Sequence, residues 1–138
     1  MILTPRNWVK KANSWLTEKT LRYDAVSLYL PAGETPRKLY DDWNESPHPA
    51  LQYLELYQVD DVIDGPGKDM FAHFFASALP QWKVKPPTEH VQADLGILGL
   101  GTNGHVAFHE PGVSASLRFG EVVLHDDTAR RLDLSPGT

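Results

Sequence analysis

Three polar clusters combine residue types that can move protons or hold an anion. Asp60 and Asp61 are adjacent carboxylates after a β-prone run. One carboxylate in such a place can take a proton from a carbon atom and return it, with its neighbour's charge raising its pKa. The plain alternative is a pair of turn residues capping the chain from Val62 onward. Gly33-Glu34-Thr35-Pro36 reads as a helix start, either a simple N-cap or a turn whose free N–H groups receive a phosphate. The third cluster is the glycine-rich Gly99-Leu-Gly-Thr-Asn-Gly104, followed by His105, His109 and Glu110.

The third cluster admits two other readings. Gly99, Gly101 and Gly104 form G-x-G-x-x-G after a strand, with Asp126 and Asp127 downstream as in a dinucleotide fingerprint. That fold needs a full helix from about Gly104 facing the pyrophosphate. Pro111-Gly112 would stop such a helix after about two turns, so a different glycine-rich turn is expected. His105 and His109 would share a helix face as metal ligands, but no spacing rule marks a third ligand. The residues alone favour neither a metal site nor a nicotinamide cofactor. His73, His90 and His125 carry no pattern.

The elements that must position these residues alternate in type. An amphipathic helix is expected over residues 5–19, with Trp8, Ala12, Trp15 and Leu16 on one face and Pro5 in its first turn. A strand follows over 25–30, then a helix capped by Thr35 with Pro36 at its first position, running through Leu39 and Trp43. A second strand is expected over 51–59 and a turn over 64–67. Met70, Phe71, Phe74, Phe75 and Ala78 give a core-facing helix ended by Pro80. A third strand at 94–98 leads into the glycine turn, and a further strand at 122–124 precedes a short helix at 126–132. Strands alternating with helices predict an α/β fold, a Rossmann-like, mostly parallel sheet covered on both faces. Ligands of such sheets gather at the carboxyl ends of the strands, where all three clusters fall.

Composition bounds the function classes. The 138 residues suit one domain spanning the whole chain, and the 41% hydrophobic share is that of a globular protein. A net charge of −5, spread along the chain, gives no basic stripe for nucleic acid. With no cysteine, disulfides and thiolate chemistry are excluded and a reducing cytoplasm is compatible. No signal-peptide core follows Met1, and no run reaches the ~20 apolar residues of a membrane span. A soluble, cytoplasmic protein is the expectation.

Taken together, Leu30-Pro-Ala-Gly-Glu-Thr-Pro36, Tyr57-Gln-Val-Asp-Asp61 and the stretch from Gly99 to Gly112 resemble the phosphate loop, strand end and G-x-G-x-[ND]-G-H motif of the glucosamine-6-phosphate deaminase/isomerase family. Asp126-Asp-Thr-Ala-Arg130 echoes the family's D-x-T-R. The resemblance implies isomerisation and deamination of an amino-hexose 6-phosphate, giving a ketose phosphate and ammonia. It makes Asp60 the base, His105 the ring opener, Glu110 its orienting partner and Asn103 a further member of the catalytic set. Gly33, Glu34, Thr35 and Asp61 become the substrate-binding positions. Glu34 departs from the family's Gly or Ser, and about thirty residues before the third strand, the later strands and their basic phosphate clamp have no counterpart. A shortened member is therefore expected, with an uncovered sheet edge that promotes a homo-oligomer. A non-catalytic sugar-phosphate-binding module and a 6-phosphogluconolactonase-type hydrolase are the alternatives.

Overall fold

Leu28 and Leu30 alternate with Tyr29 to build β1 (Ser27–Leu30), three of whose four residues are buried. Burial on both faces is what a parallel strand beneath helices requires. The computed structural model describes residues 7–138. Its sheet adds β2 (Glu55–Gln58), β3 (Val84–Lys85) and β4 (Leu95–Gly96) in the order β3-β2-β1-β4. Every pairing is parallel, with Leu28 opposite Leu56 on one side and Leu95 on the other. The chain thus steps outward from β1 to β3 and then crosses to β1's free side. That reversal opens a crevice above the carboxyl ends of β1 and β4.

The described residues form four α-helices: α1 (Trp8–Tyr23), α2 (Arg37–Glu45), α3 (Met70–Ala78) and α4 (Asp126–Arg131). The α1–α2 seam is closed by polar bonds as well as packing. Asn13 accepts from the buried Trp43 indole at 2.7 Å and donates to Asp42 at 2.8 Å. Asn44 donates to the Ala78 carbonyl at 2.8 Å, fastening α2 to α3. Tyr40, Trp43, Phe74 and Phe75 stack within the core. Every buried member of the main apolar cluster lies between Ala12 and Leu79.

The α/β class and the parallel sheet are as the sequence predicts; several boundaries are not. Pro5 lies outside the described residues, and α1 continues to Tyr23 before Asp24 turns left-handed at φ 48°. The strand expected over 51–59 is shorter because Pro49–Gln52 winds as a 3₁₀ turn, whose Ala50 N–H is accepted by the His48 ring at 3.1 Å. Thr35 does not cap α2: Pro36 occupies the N-cap and no side chain bonds the first turn. No strand forms over 122–124, where Leu124 N–H donates instead to the carbonyl of Thr138. β3, two residues ahead of Pro86-Pro87, has no periodicity to announce it. β4 is the outer strand on its side, and Leu98 and Leu100 beyond it are exposed.

Candidate functional site

A cavity of about 230 Å³ opens in the crevice, and Pro31, Asp60, His105, Ala107, Phe108 and Arg131 are among its walls. Its size suits a small ligand better than a dinucleotide. The segment after β4 makes no helix at Gly104. It folds as narrow turns tied by bridges of Val106 to Leu100 and to His109. Gly101 is needed here for close approach, since a Cβ would run into the His105 imidazole.

Asp60 and Asp61 take different parts. Asp61 accepts from Val62 N–H, Phe71 N–H, Ala72 N–H and the Gln58 amide at 2.7–2.9 Å, so its carboxylate holds the first turn of α3. It lines a second cavity of about 230 Å³ and not the first. Asp60 borders both cavities and accepts a single side-chain hydrogen bond, from Phe108 N–H at 2.9 Å. Burial pushes its carboxyl up to about 6; Asp61 adds to the rise, while the Phe108 amide and His105 oppose it. A carboxyl titrating there suits proton transfer near neutrality. Asp61→Ala is expected to lower stability by about 2 kcal/mol by stripping four donors of their acceptor. Urea unfolding checks it, and an unchanged midpoint would refute the capping role.

His105 bonds the carbonyl of Ala107 at 2.8 Å through Nδ1. A carbonyl only accepts, so Nδ1 carries the proton and Nε2 is left for a ligand. Asn103 accepts from His105 N–H at 3.2 Å; its side chain is exposed, supports the turn and does not reach the cavity wall. Glu110 is 2% exposed. It bonds no atom of His105: it accepts from His125 N–H at 2.7 Å and from the Thr128 hydroxyl, and so anchors the start of α4. Burial works against its ionisation, yet these two bonds and the neighbouring imidazoles hold its carboxyl below the usual range. Nδ1 of His105 is thus bonded to the Ala107 carbonyl and not to Glu110, the partner the resemblance implies.

Gly33, at φ 102°, turns the chain out of β1, and Thr35 stands exposed with its hydroxyl uncommitted among the described residues; neither lines the cavity. Glu34 is drawn sideways by Arg37, whose Nε donates to both its oxygens at 3.0 Å. This exposed pair contributes little to stability, but it keeps the carboxylate out of the cavity wall. Sequence reasoning misses Arg131, at the end of α4. It lines the cavity, and no partner holds it among the described residues. No motif marks it; only its spacing after the Asp126-Asp127 helix start would have drawn notice. His109 bonds the Ser114 carbonyl through Nε2 at 2.9 Å and stands apart from the cavity. No group of three His, Asp or Glu among the described residues is arranged to hold a metal.

No protein-family model matches the chain. Among curated proteins it is similar to the glucosamine-6-phosphate deaminase of Streptococcus sanguinis, at 32% identity over 89% of this chain and 57% of that protein. The Streptococcus thermophilus enzyme of the same name is 30% identical over 82% of this chain and 58% of its own length. That of Listeria welshimeri reaches 51% identity over 41 residues. The chain spans little more than half the length of the first two relatives.

Proposed function

The chain belongs to the glucosamine-6-phosphate deaminase family, and on that premise we propose that it converts an amino-hexose 6-phosphate to a ketose phosphate and ammonia. The observation that carries the reading is one cavity walled by Asp60, His105 and the unpaired Arg131. His105 takes the O1 proton at Nε2 and returns it to the ring oxygen as the C1–O5 bond breaks. Asp60 removes the proton from C2 of the open-chain aldehyde and delivers it to C1, while O1 gains a proton and the amino nitrogen loses one, leaving a C2 imine beside a C1 hydroxymethyl group. Water adds at C2, the C–N bond breaks, and ammonia departs. A carboxylate suits the shuttle because the same group is base in one half and acid in the other.

Arg131 supplies the cation that the phosphate dianion needs, with the Thr35 hydroxyl and the turn at Gly33 as the further contacts the resemblance implies. Arg131→Gln is expected to weaken binding of glucosamine 6-phosphate by about 10–100-fold, the worth of one charge-assisted hydrogen bond. Binding of unphosphorylated glucosamine stays as it was. Equal loss for both ligands in titration calorimetry would remove Arg131 from the phosphate.

The second reading is a sugar-phosphate-binding module, favoured by the attachment of Glu110 to α4 and not to His105. Ammonia release from glucosamine 6-phosphate separates the two. Release establishes the enzyme, and saturable binding by folded protein without release establishes the module.

A further inference from the structure

The Ala107–Phe108 peptide group is bonded at both ends. Its carbonyl accepts from His105 Nδ1 at 2.8 Å, and its N–H donates to Asp60 Oδ2 at 2.9 Å. Ala107 sits at φ 53°, a left-handed conformation that costs a residue with a Cβ free energy and that tends to persist where function holds it. The trans peptide points its carbonyl and its amide in opposite directions, which sets it between His105 on one side and Asp60 on the other. Phe108 is held from the far side by stacking on Phe71, with ring centroids 5.4 Å apart. Val106 is fixed by its bridges to Leu100 and His109.

We propose that this peptide group is a coupling element between Asp60 and His105, and that Ala107 is its positioning residue. The inference rests on the reading of both side chains as the proton-transfer pair. A peptide bonded at both ends is polarised along its length, so a charge change at one end alters hydrogen-bond strength at the other. The carbonyl fixes the tautomer of the imidazole and leaves Nε2 without a hydrogen bond among the described residues. The amide lowers the cost of an ionised Asp60. The other charged groups near the pair are Asp61, committed to α3; Glu110, committed to α4; and Arg131, across the cavity.

The test is NMR on the full chain, which needs no turnover and so fails independently of the enzyme assignment. The Phe108 amide proton should lie downfield and shift with both the Asp60 and the His105 titration, and His105 should show the Nδ1–H tautomer. Ala107→Gly keeps the left-handed turn and should keep both signatures. Ala107→Val, whose β-branched side chain resists φ near 53°, should give mixed tautomers and move the Asp60 midpoint upward. A Phe108 amide that follows the Asp60 titration alone in the unsubstituted chain overturns the coupling. So does a folded Val variant with tautomer and midpoint unchanged. Should the Val variant not fold, the unsubstituted chain and the Gly variant still decide the matter.

Discussion

Asp60→Asn should cut ammonia release from glucosamine 6-phosphate by about 10²–10⁴-fold, the usual worth of a general base, while raising the protein's stability. The amide cannot take the C2 proton, yet its oxygen still accepts from Phe108 N–H, so the cavity keeps its shape and the affinity for the sugar phosphate changes little. The stability gain follows from linkage. Burial raises the Asp60 carboxyl from 3.8 to about 6, so the folded chain holds this proton more tightly than the unfolded one. Its contribution is full below pH ~4 and is lost as pH rises through about 6. Above that, ionisation of a buried group costs up to about 3 kcal/mol. The neutral Asn escapes that cost, so the variant's advantage in urea unfolding is present at pH ~8 and small at pH ~4. The same titration puts the acid limb of kcat/KM near pH ~6. Turnover unchanged by the substitution would sink the proposed function. An advantage equal at both pH values would sink the account of the raised pKa.

Removing the charge of Glu110 should act on the fold first and on binding second. Glu110→Gln leaves the His125 amide and the Thr128 hydroxyl competing for one acceptor in a site only 2% exposed. A loss of about 2–4 kcal/mol is expected, because buried donors then go unmatched. Arg131 and Leu132, both on the cavity wall, end the helix this carboxylate anchors. Sugar-phosphate affinity should fall with the helix, although Glu110 itself is not among the lining residues. The folded-state pKa lies below the ordinary carboxylate value, so Glu110's contribution is present above that value and is lost as pH falls through the depressed one. The Gln variant should therefore lose stability at neutral pH and lose its share of acid sensitivity. Equal urea midpoints at neutral pH for the two chains would refute the anchoring role.

Elements backed by a repeated pattern were legible in the sequence. The Phe71/Phe74/Phe75/Ala78 spacing marks α3 because a buried face recurs at helical period, and Leu28-Tyr29-Leu30 marks β1 because both of its faces are covered. β3 was not legible, since a two-residue strand before two prolines leaves no periodicity to read. A run of β-formers suggested a longer β2, but the His48 side chain captures the Ala50 amide and winds Pro49–Gln52 into a turn. In the site, Asp60 was a candidate base by residue type and by its position after a strand, whereas His105 gained its role only through the family resemblance. The division of labour between Asp60 and Asp61 was not legible, because it depends on where the Phe71 and Ala72 amides end up in space. Glu110's attachment to α4 and Arg131's place on the wall are likewise products of tertiary folding.

The crossing from β3 to β4 has a consequence for the order in which the molecule assembles. The fully buried members of the main apolar cluster all precede Pro80, whereas His105 and Arg131 come after β4. Among the contacts that join that later part to the rest are two β1–β4 pairs, the packing of Leu95 and Ile97 on the core, the Phe71–Phe108 stack, the Asp94 bonds to Val26 and Ser27, and the Phe108–Asp60 bond. The hydrogen bonds among them close loops of 48 to 68 residues and form only after that entropy has been spent. A partial opening that peels β4 and the residues beyond it away from β1 would separate the carboxylate from the imidazole and leave the three-stranded remainder and its core in place. Such a molecule would lose its chemistry well before it lost its fold.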